Sequence, residues 1–148
     1  MTIKLSEYQI SKYKNDGDIL VKEAFLPWIE KLKNGFQKVL DNPSFYGREN
    51  TSNKKKGRFF EDYCNWERVD EFKDFFFNSP AAEIIAQSTS SKRIQIFHDH
   101  IFFKDPGTEK ETPWHQDLPY YCVDGNDTGS FWIPLENISK DNSLFVFF

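Results

Sequence analysis

The sequence predicts an α+β domain in which helices come first and a run of β-strand follows. Three observations carry that expectation. In the first part of the chain, apolar side chains recur at helical spacing, as in Ile29, Leu32, Phe36, Val39 and Leu40. After Ser91 the pattern alternates: "RIQIFHDHIFFK" (93–104) sets Ile94, Ile96, His98, His100, Phe102 and Lys104 on one face of a strand. The aromatic share is 18%, dominated by 16 Phe, which suits a thick, sheet-bearing interior and argues against disorder. Helices followed by strands, rather than interleaved with them, point to α+β, with the sheet folding into a sandwich or barrel.

The elements follow in order. Ser6 is placed to cap a first helix, with Gln9 three residues on as in a capping box and Ile10 and Tyr13 on one face. "NDG" (15–17) ends it, and "DILV" (18–21) reads as a short strand. A second helix starts near Pro27, which a first turn tolerates, and keeps its period despite Gly35 until "DNPS" (41–44). Residues 41 to 66 read as loop, anchored by "RFF" (58–60). Asp70 is expected to cap a helix carrying Phe72, Phe75 and Phe76, and Ser79-Pro80 to start another through Ile84 and Ile85. Beyond the strand at 93–104, "DPGTEKE" (105–111) is turn chemistry. A strand through "TPWHQDL", a loop "VDGNDTG" (123–129), a strand "SFWIPL" (130–135), a turn near "KDN" and a last strand "SLFVFF" complete the expectation.

At 148 residues the chain is one domain with enough length to bury a core. Its net charge of -4 gives no electrostatic reason to expect nucleic acid or a membrane surface as partner. The basic run "NKKKGR" (53–58) sits among Asn, Ser and Gly and reads as a solvated loop. Two cysteines, Cys64 and Cys122, form neither a disulfide framework nor a zinc motif, so a reducing cytoplasm fits. No stretch has the length of a signal peptide core or a membrane span.

Chemistry is concentrated in "TPWHQD" (112–117). His115 and Asp117 are two residues apart, so on an extended strand both point to the same side. An imidazole nitrogen and a carboxylate oxygen side by side are two adjacent ligands for one divalent cation. With a distant second histidine they make the two-His, one-carboxylate arrangement that holds non-haem Fe(II) and leaves positions open. A His beside an Asp is also commonplace on protein surfaces, and context has to decide. His98 and His100 share a strand face too, but a His-x-His metal site of the cupin type wants a glutamate a few residues on, where this chain has Phe102, Phe103 and Lys104. His98 reads as a hydrogen-bonded sheet residue, and Tyr120 and Tyr121 as packing or as the rim of a substrate mouth.

The stretches "HDHIFFKDPGTEKETPWHQDLPYYCVDG", "SFWIPLENISKDNS" and "LSEYQISKYKNDGDILVKEAF" resemble the phytanoyl-CoA dioxygenase family of Fe(II)- and 2-oxoglutarate-dependent oxygenases. The resemblance runs nearly end to end and implies a double-stranded β-helix, a cupin-like jelly roll with N-terminal helices packed outside it. It would divide a single partial domain, 1–148, into a helical part at about 1–90 and a β-rich metal-binding part at about 93–148. By that resemblance His115 and Asp117 match the first two iron ligands, and Gln116 between them points away. Trp132 falls where the family sets an aromatic beside the 2-oxoglutarate, though an apolar strand would as readily make it core. His100 falls where the strand backs onto the same co-substrate. Lys104 matches a recurrent lysine of the "K-x-P-G" turn and is grouped with the co-substrate contacts, its role there left open.

The family pattern continues into a Gly-Ser-His carrying the third iron ligand and then a basic residue for the far carboxylate of 2-oxoglutarate. Here no histidine follows His115, and neither Arg nor Lys follows Lys140. The expectation is a fragment, incomplete at the C-terminal end of the jelly roll, that does not turn over as it stands. What the resemblance implies for a complete protein is hydroxylation of a small metabolite or acyl substrate with O2, Fe(II) as cofactor and 2-oxoglutarate as co-substrate. The alternative from another class is a non-catalytic remnant or binding module. Neither the prime substrate nor the oligomeric state is legible.

Overall fold

Helix-forming segments with strong local punctuation come first along the chain in the computed structural model, which describes residues 2–50, 57–108, 112–125 and 127–138. Helix α1 (Glu7–Asp16) has the expected capping box: Ser6 Oγ accepts from the Gln9 amide at 3.2 Å, and Gln9 Oε1 from the Ser6 amide at 3.0 Å. Gly17 ends it at φ 83°, the left-handed conformation that glycine adopts without penalty, and donates its N–H to the Tyr13 carbonyl.

One 3₁₀ turn (Leu26–Trp28) holding Pro27 leads into α2 (Ile29–Asp41), which buries Leu32, Gly35 and Val39. Helices α3 (Asp70–Asn78) and α4 (Ala81–Thr89) bury Phe72 and Phe75, and Ala81, Ile84 and Ser88. Val69, rather than Asp70, is the residue before α3 and makes no side-chain cap bond. Asp70 lies inside the first turn, where a carboxylate meets the positive end of the helix.

Gly35 marks the close approach of α2 to α3: a Cβ there would lie 2.7 and 2.9 Å from two ring carbons of Phe72. Leu32, Val39, Phe60, Val69, Phe72, Phe75 and Ala81 form the main core, with Ile133 and Leu135 packed against it. A second cluster joins Leu5, Ala24 and Ile84, and Phe25 touches both.

Three strands form one antiparallel sheet in the order β1 (Arg48–Glu49), β2 (Phe59–Tyr63), β3 (His100–Lys104). The register sets Phe59 opposite Lys104, Glu61 opposite Phe102 and Tyr63 opposite His100. Helices and a small antiparallel sheet are compatible with the α+β expectation, but the strands differ from the expected ones. Residues 41–66, expected as loop, contain both β1 and the central strand.

The reason lies in Asp62, which is fully buried beside Phe60 on the core side of β2 and breaks the apolar alternation that would have announced a strand. Its carboxylate accepts the Ser44 amide and the Tyr63 amide, each at 2.7 Å, and the Ser44 hydroxyl. The loop at 44 and the strand are thereby tied together.

"DILV" (18–21) forms no strand; Ile19 and Val21 pack into the second cluster instead. The strand expected over 93–104 begins only at His100. Ahead of it the Asp99 carbonyl still accepts the Cys64 amide at 3.0 Å, but Asp99 Oδ1 takes the Asn65 and Trp66 amides, both at 2.7 Å, so side-chain bonds replace the ladder beyond Cys64. Residues 112–118 and 130–135, expected as strands, pair with no neighbour among the described residues, and the first runs into a 3₁₀ turn at its last residue. A strand exists only through its partner, and Pro113 lacks the N–H a ladder needs.

The second stretch is nevertheless laid on the helices: Phe131 meets the ring of Phe25 edge-on at 5.5 Å, and Lys33 pairs with Glu136 at 3.0 Å. The last expected strand (143–148), the turn near 140–142, residues 109–111 of the expected turn and most of the basic run fall outside the described residues. A single three-stranded sheet is what the described residues hold of the expected jelly roll. No helix among them is long and apolar enough to cross a membrane.

Candidate functional site

Alternation along β2 and β3 creates the face on which the site is built. Ile101 and Phe103 turn toward the core, so His100, Phe102 and Lys104 lie on the opposite side, with Glu61 and Tyr63 across from them. The imidazole of His100 stacks on the Tyr63 ring at 3.9 Å between centroids and 15° between planes. Its Nε2 is 3.6 Å from Glu61 Oε2. Burial pushes the His100 pKa down, and the neighbouring His98 acts in the same direction; Glu61 and Asp117 pull it up. Burial raises the Tyr63 and Tyr121 pKa values, and the charge of Asp117 adds to both. Asp117 is thus within electrostatic reach of the sheet face.

His115 and Asp117 converge, although they do so without a ladder. Asp117 runs directly into a 3₁₀ turn (Leu118–Tyr120), its carbonyl accepting the Tyr120 amide at 2.9 Å. Even so, His115 Nε2 and Asp117 Oδ1 stand 3.1 Å apart. The Pro113 carbonyl lies 2.8 Å from His115 Nδ1 and can only accept, which assigns a proton to Nδ1 and leaves Nε2 turned to the carboxylate. An unprotonated Nε2 and a carboxylate oxygen are both acceptors, so at this separation they need a proton or a cation to share.

The spacing suits a cation. Two ligand atoms held at a right angle, each about 2.1 Å from one metal ion, lie about 3 Å apart. Both side chains are open to solvent, at 39% and 55% exposure. Among the described residues no group of three or more His, Cys, Asp or Glu side chains is arranged to hold a metal ion.

The remaining expected residues lie on β3 and on the stretch that follows the pair in the chain. Lys104 lays its ammonium over the Phe59 ring at 4.4 Å and donates to Thr112 Oγ1 at 3.2 Å, linking the end of β3 to the segment that carries His115. Trp132, 38% exposed, lies between Phe131 and Ile133 on the stretch that packs over the helices. His98 lies 5.8 Å from the Tyr121 ring, and Phe97 lies 5.1 Å from it. Tyr121 in turn donates to Asp117 Oδ2 at 3.2 Å.

Two neighbours of this face are not expected from the sequence, Glu61 and Tyr63, which fall in the segment expected as loop; Tyr121, expected as packing or as the rim of a substrate mouth, is instead a hydrogen-bond partner of Asp117. The alternation of Phe60 and Asp62 with Glu61 and Tyr63 could have flagged the first two had a buried aspartate been admitted. A cavity of about 360 Å³ lined by Ala24, Pro27, Trp28, Lys31 and Pro80 includes none of the site residues and has no acid–base group besides the lysine.

The family model described as phytanoyl-CoA dioxygenase (PhyH) matches residues 13–146, most of the chain. No curated protein matches the sequence, and no solved structure does.

Proposed function

Since the chain belongs to the phytanoyl-CoA dioxygenase family, we propose that it serves an Fe(II)- and 2-oxoglutarate-dependent oxygenase reaction, with His115 and Asp117 as two of the metal ligands. The observation that carries this reading is the 3.1 Å approach of His115 Nε2 to Asp117 Oδ1, with the other imidazole nitrogen held by the Pro113 carbonyl. A hydrogen bond on the far nitrogen of a ligating histidine fixes its tautomer and its aim, which is how metal sites commonly orient an imidazole. When bound, Fe(II) and 2-oxoglutarate supply the oxidising power, with decarboxylation to succinate and CO2 coupled to hydroxylation of an unactivated C–H bond.

The chain's own part is to bind and orient. His115 and Asp117 bring one neutral and one anionic donor to the cation and leave its other positions to co-substrate and O2. His100, its charged form disfavoured by burial, offers a neutral imidazole stacked on Tyr63 at the edge of the same region. Lys104 is a cation on that face, tied to Thr112, and Trp132 is an aromatic on the following segment; both are our candidates for co-substrate contacts together with His100. The jelly roll that the family implies would close over this face. The prime substrate is a small metabolite or acyl compound. The free state of Cys64 and Cys122 agrees with a reducing cytoplasm.

Calorimetric titration with Mn(II) tests the reading. The parent chain should bind one ion, and His115→Ala and Asp117→Ala should each lose most of the affinity, because either change leaves a single protein donor. Unchanged affinity in Asp117→Ala would refute the assignment. Fe(II)-dependent succinate formation from 2-oxoglutarate by the chain extended with the third histidine and the basic residue of the family pattern would favour the oxygenase, and its absence in that extended chain a binding module with the same fold.

A further inference from the structure

We infer that Tyr121 is a positioning residue for Asp117: its hydroxyl sets the rotamer of that carboxylate and so presents the His115–Asp117 pair ready-made to a divalent cation. The inference rests on the metal role proposed for the pair. The two carboxylate oxygens of Asp117 have separate partners. Oδ1 faces His115 Nε2 at 3.1 Å, and Oδ2 accepts the Tyr121 hydroxyl at 3.2 Å. A phenol has one proton, so with that proton on Asp117 the Ser130 hydroxyl, 3.1 Å away, must donate to the phenol oxygen. The result is a directed relay, Ser130 to Tyr121 to Asp117, in which each donation polarises the next.

The phenol itself is anchored. Its ring meets Phe97 edge-on at 5.1 Å and His98 at 5.8 Å, both on the stretch that leads into β3. It therefore joins three segments that the chain brings together from separate places: residues 97–98, the His115–Asp117 turn and Ser130.

An aspartate side chain as exposed as this one has to be held by something. The Tyr120 amide on the Asp117 carbonyl fixes the main chain and leaves the carboxylate torsion to side-chain contacts. If Tyr121 holds that torsion, the cation finds its ligand ordered beforehand. If not, binding must order it, and affinity falls accordingly. The Tyr121→Phe change removes the hydroxyl while keeping the ring on Phe97 and His98, which separates positioning from packing.

Co(II) titration of the metal-free chain provides the test, read by calorimetry and by the visible absorption of bound Co(II), beside thermal unfolding without metal. Tyr121→Phe is expected to weaken Co(II) binding about 10- to 100-fold, the usual effect of removing a partner that orients a ligand. Its Co(II) band should shift, with the metal-free unfolding midpoint near that of the parent. Ser130→Ala should weaken binding in the same direction by about two- to tenfold, as for one neutral hydrogen bond. Parental affinity and spectrum in Tyr121→Phe, with affinity lost in Asp117→Ala, would overturn the inference and leave the metal reading standing. Parental affinity in Asp117→Ala would take down both. Should Tyr121→Phe fail to fold, parental affinity in Ser130→Ala overturns the relay.

Discussion

Replacing Asp62 by alanine should destabilise the chain more than any single change at the exposed His115–Asp117 pair. Asp62 is completely buried and accepts three hydrogen bonds, from the Ser44 amide, the Ser44 hydroxyl and the Tyr63 amide, with Arg68 Nη2 a further 3.8 Å from Oδ2. Hydrogen bonds to a charged acceptor contribute about 1.5–3 kcal/mol each, and they are not additive when they share one carboxylate. The alanine variant also leaves the Ser44 amide without its acceptor and Arg68 without its counter-charge. A loss of about 3–5 kcal/mol follows, the range seen when one partner of a buried pair is removed.

At about 2–4 °C per kcal/mol for a chain of this size, the midpoint should fall by about 6–20 °C. Thermal and urea unfolding, followed by circular dichroism, measure it. Asp62→Asn, which keeps one acceptor oxygen but turns a donor toward the Ser44 amide, should fall between parent and alanine. In a double-mutant cycle Ser44→Ala and Asp62→Ala should cost less together than the sum of their separate effects. A loss below about 1 kcal/mol in Asp62→Ala would refute the argument that this buried carboxylate holds the central strand to the preceding loop.

Two further expectations concern packing and reactivity. Gly35→Ala gains about 1 kcal/mol of helix propensity, but its Cβ would collide with a buried phenylalanine ring at 2.7 Å, which costs about 1–3 kcal/mol. The net should be destabilising by about 1 kcal/mol in urea unfolding, and a variant more stable than the parent would show that α2 and α3 are not in such close contact. Cys64 is exposed and sits at φ 59°, with its thiol pKa raised first by partial desolvation and then by Asp99, Asp62 and Glu67. A raised pKa means less thiolate at neutral pH, so iodoacetamide should modify Cys64 more slowly than an unstructured cysteine peptide. The rate should climb at higher pH than for the peptide, and equal profiles would contradict it.

Local chemistry made the helices legible, and distant chemistry hid the sheet. The Ser6–Gln9 box, Gly17, Pro27 and the spacing from Ile29 to Leu40 act within one or two turns, and the chain folds there as those residues dictate. The approach of His115 to Asp117 was expected from an extended strand, which sets residues i and i+2 on one side; the two side chains stand 3.1 Å apart although their segment pairs with no neighbour among the described residues.

Strands depend on a partner elsewhere. "DILV", "TPWHQDL" and "SFWIPL" carry strand-like residues yet pair with nothing among the described residues, whereas "FFEDY" becomes the central strand with a charged side chain buried in its middle. That burial is tolerated because Ser44, 18 residues away, joins the adjacent Tyr63 amide in satisfying the carboxylate, and no local pattern can announce the distant partner. The stacking of His100 on Tyr63, the reach of Asp117 to the sheet face and the hold of Tyr121 on Asp117 are of the same kind. Residue type made the donor pair visible in the sequence. Which neighbours lie beside it was decided by register and packing, because those neighbours meet only after the chain has folded.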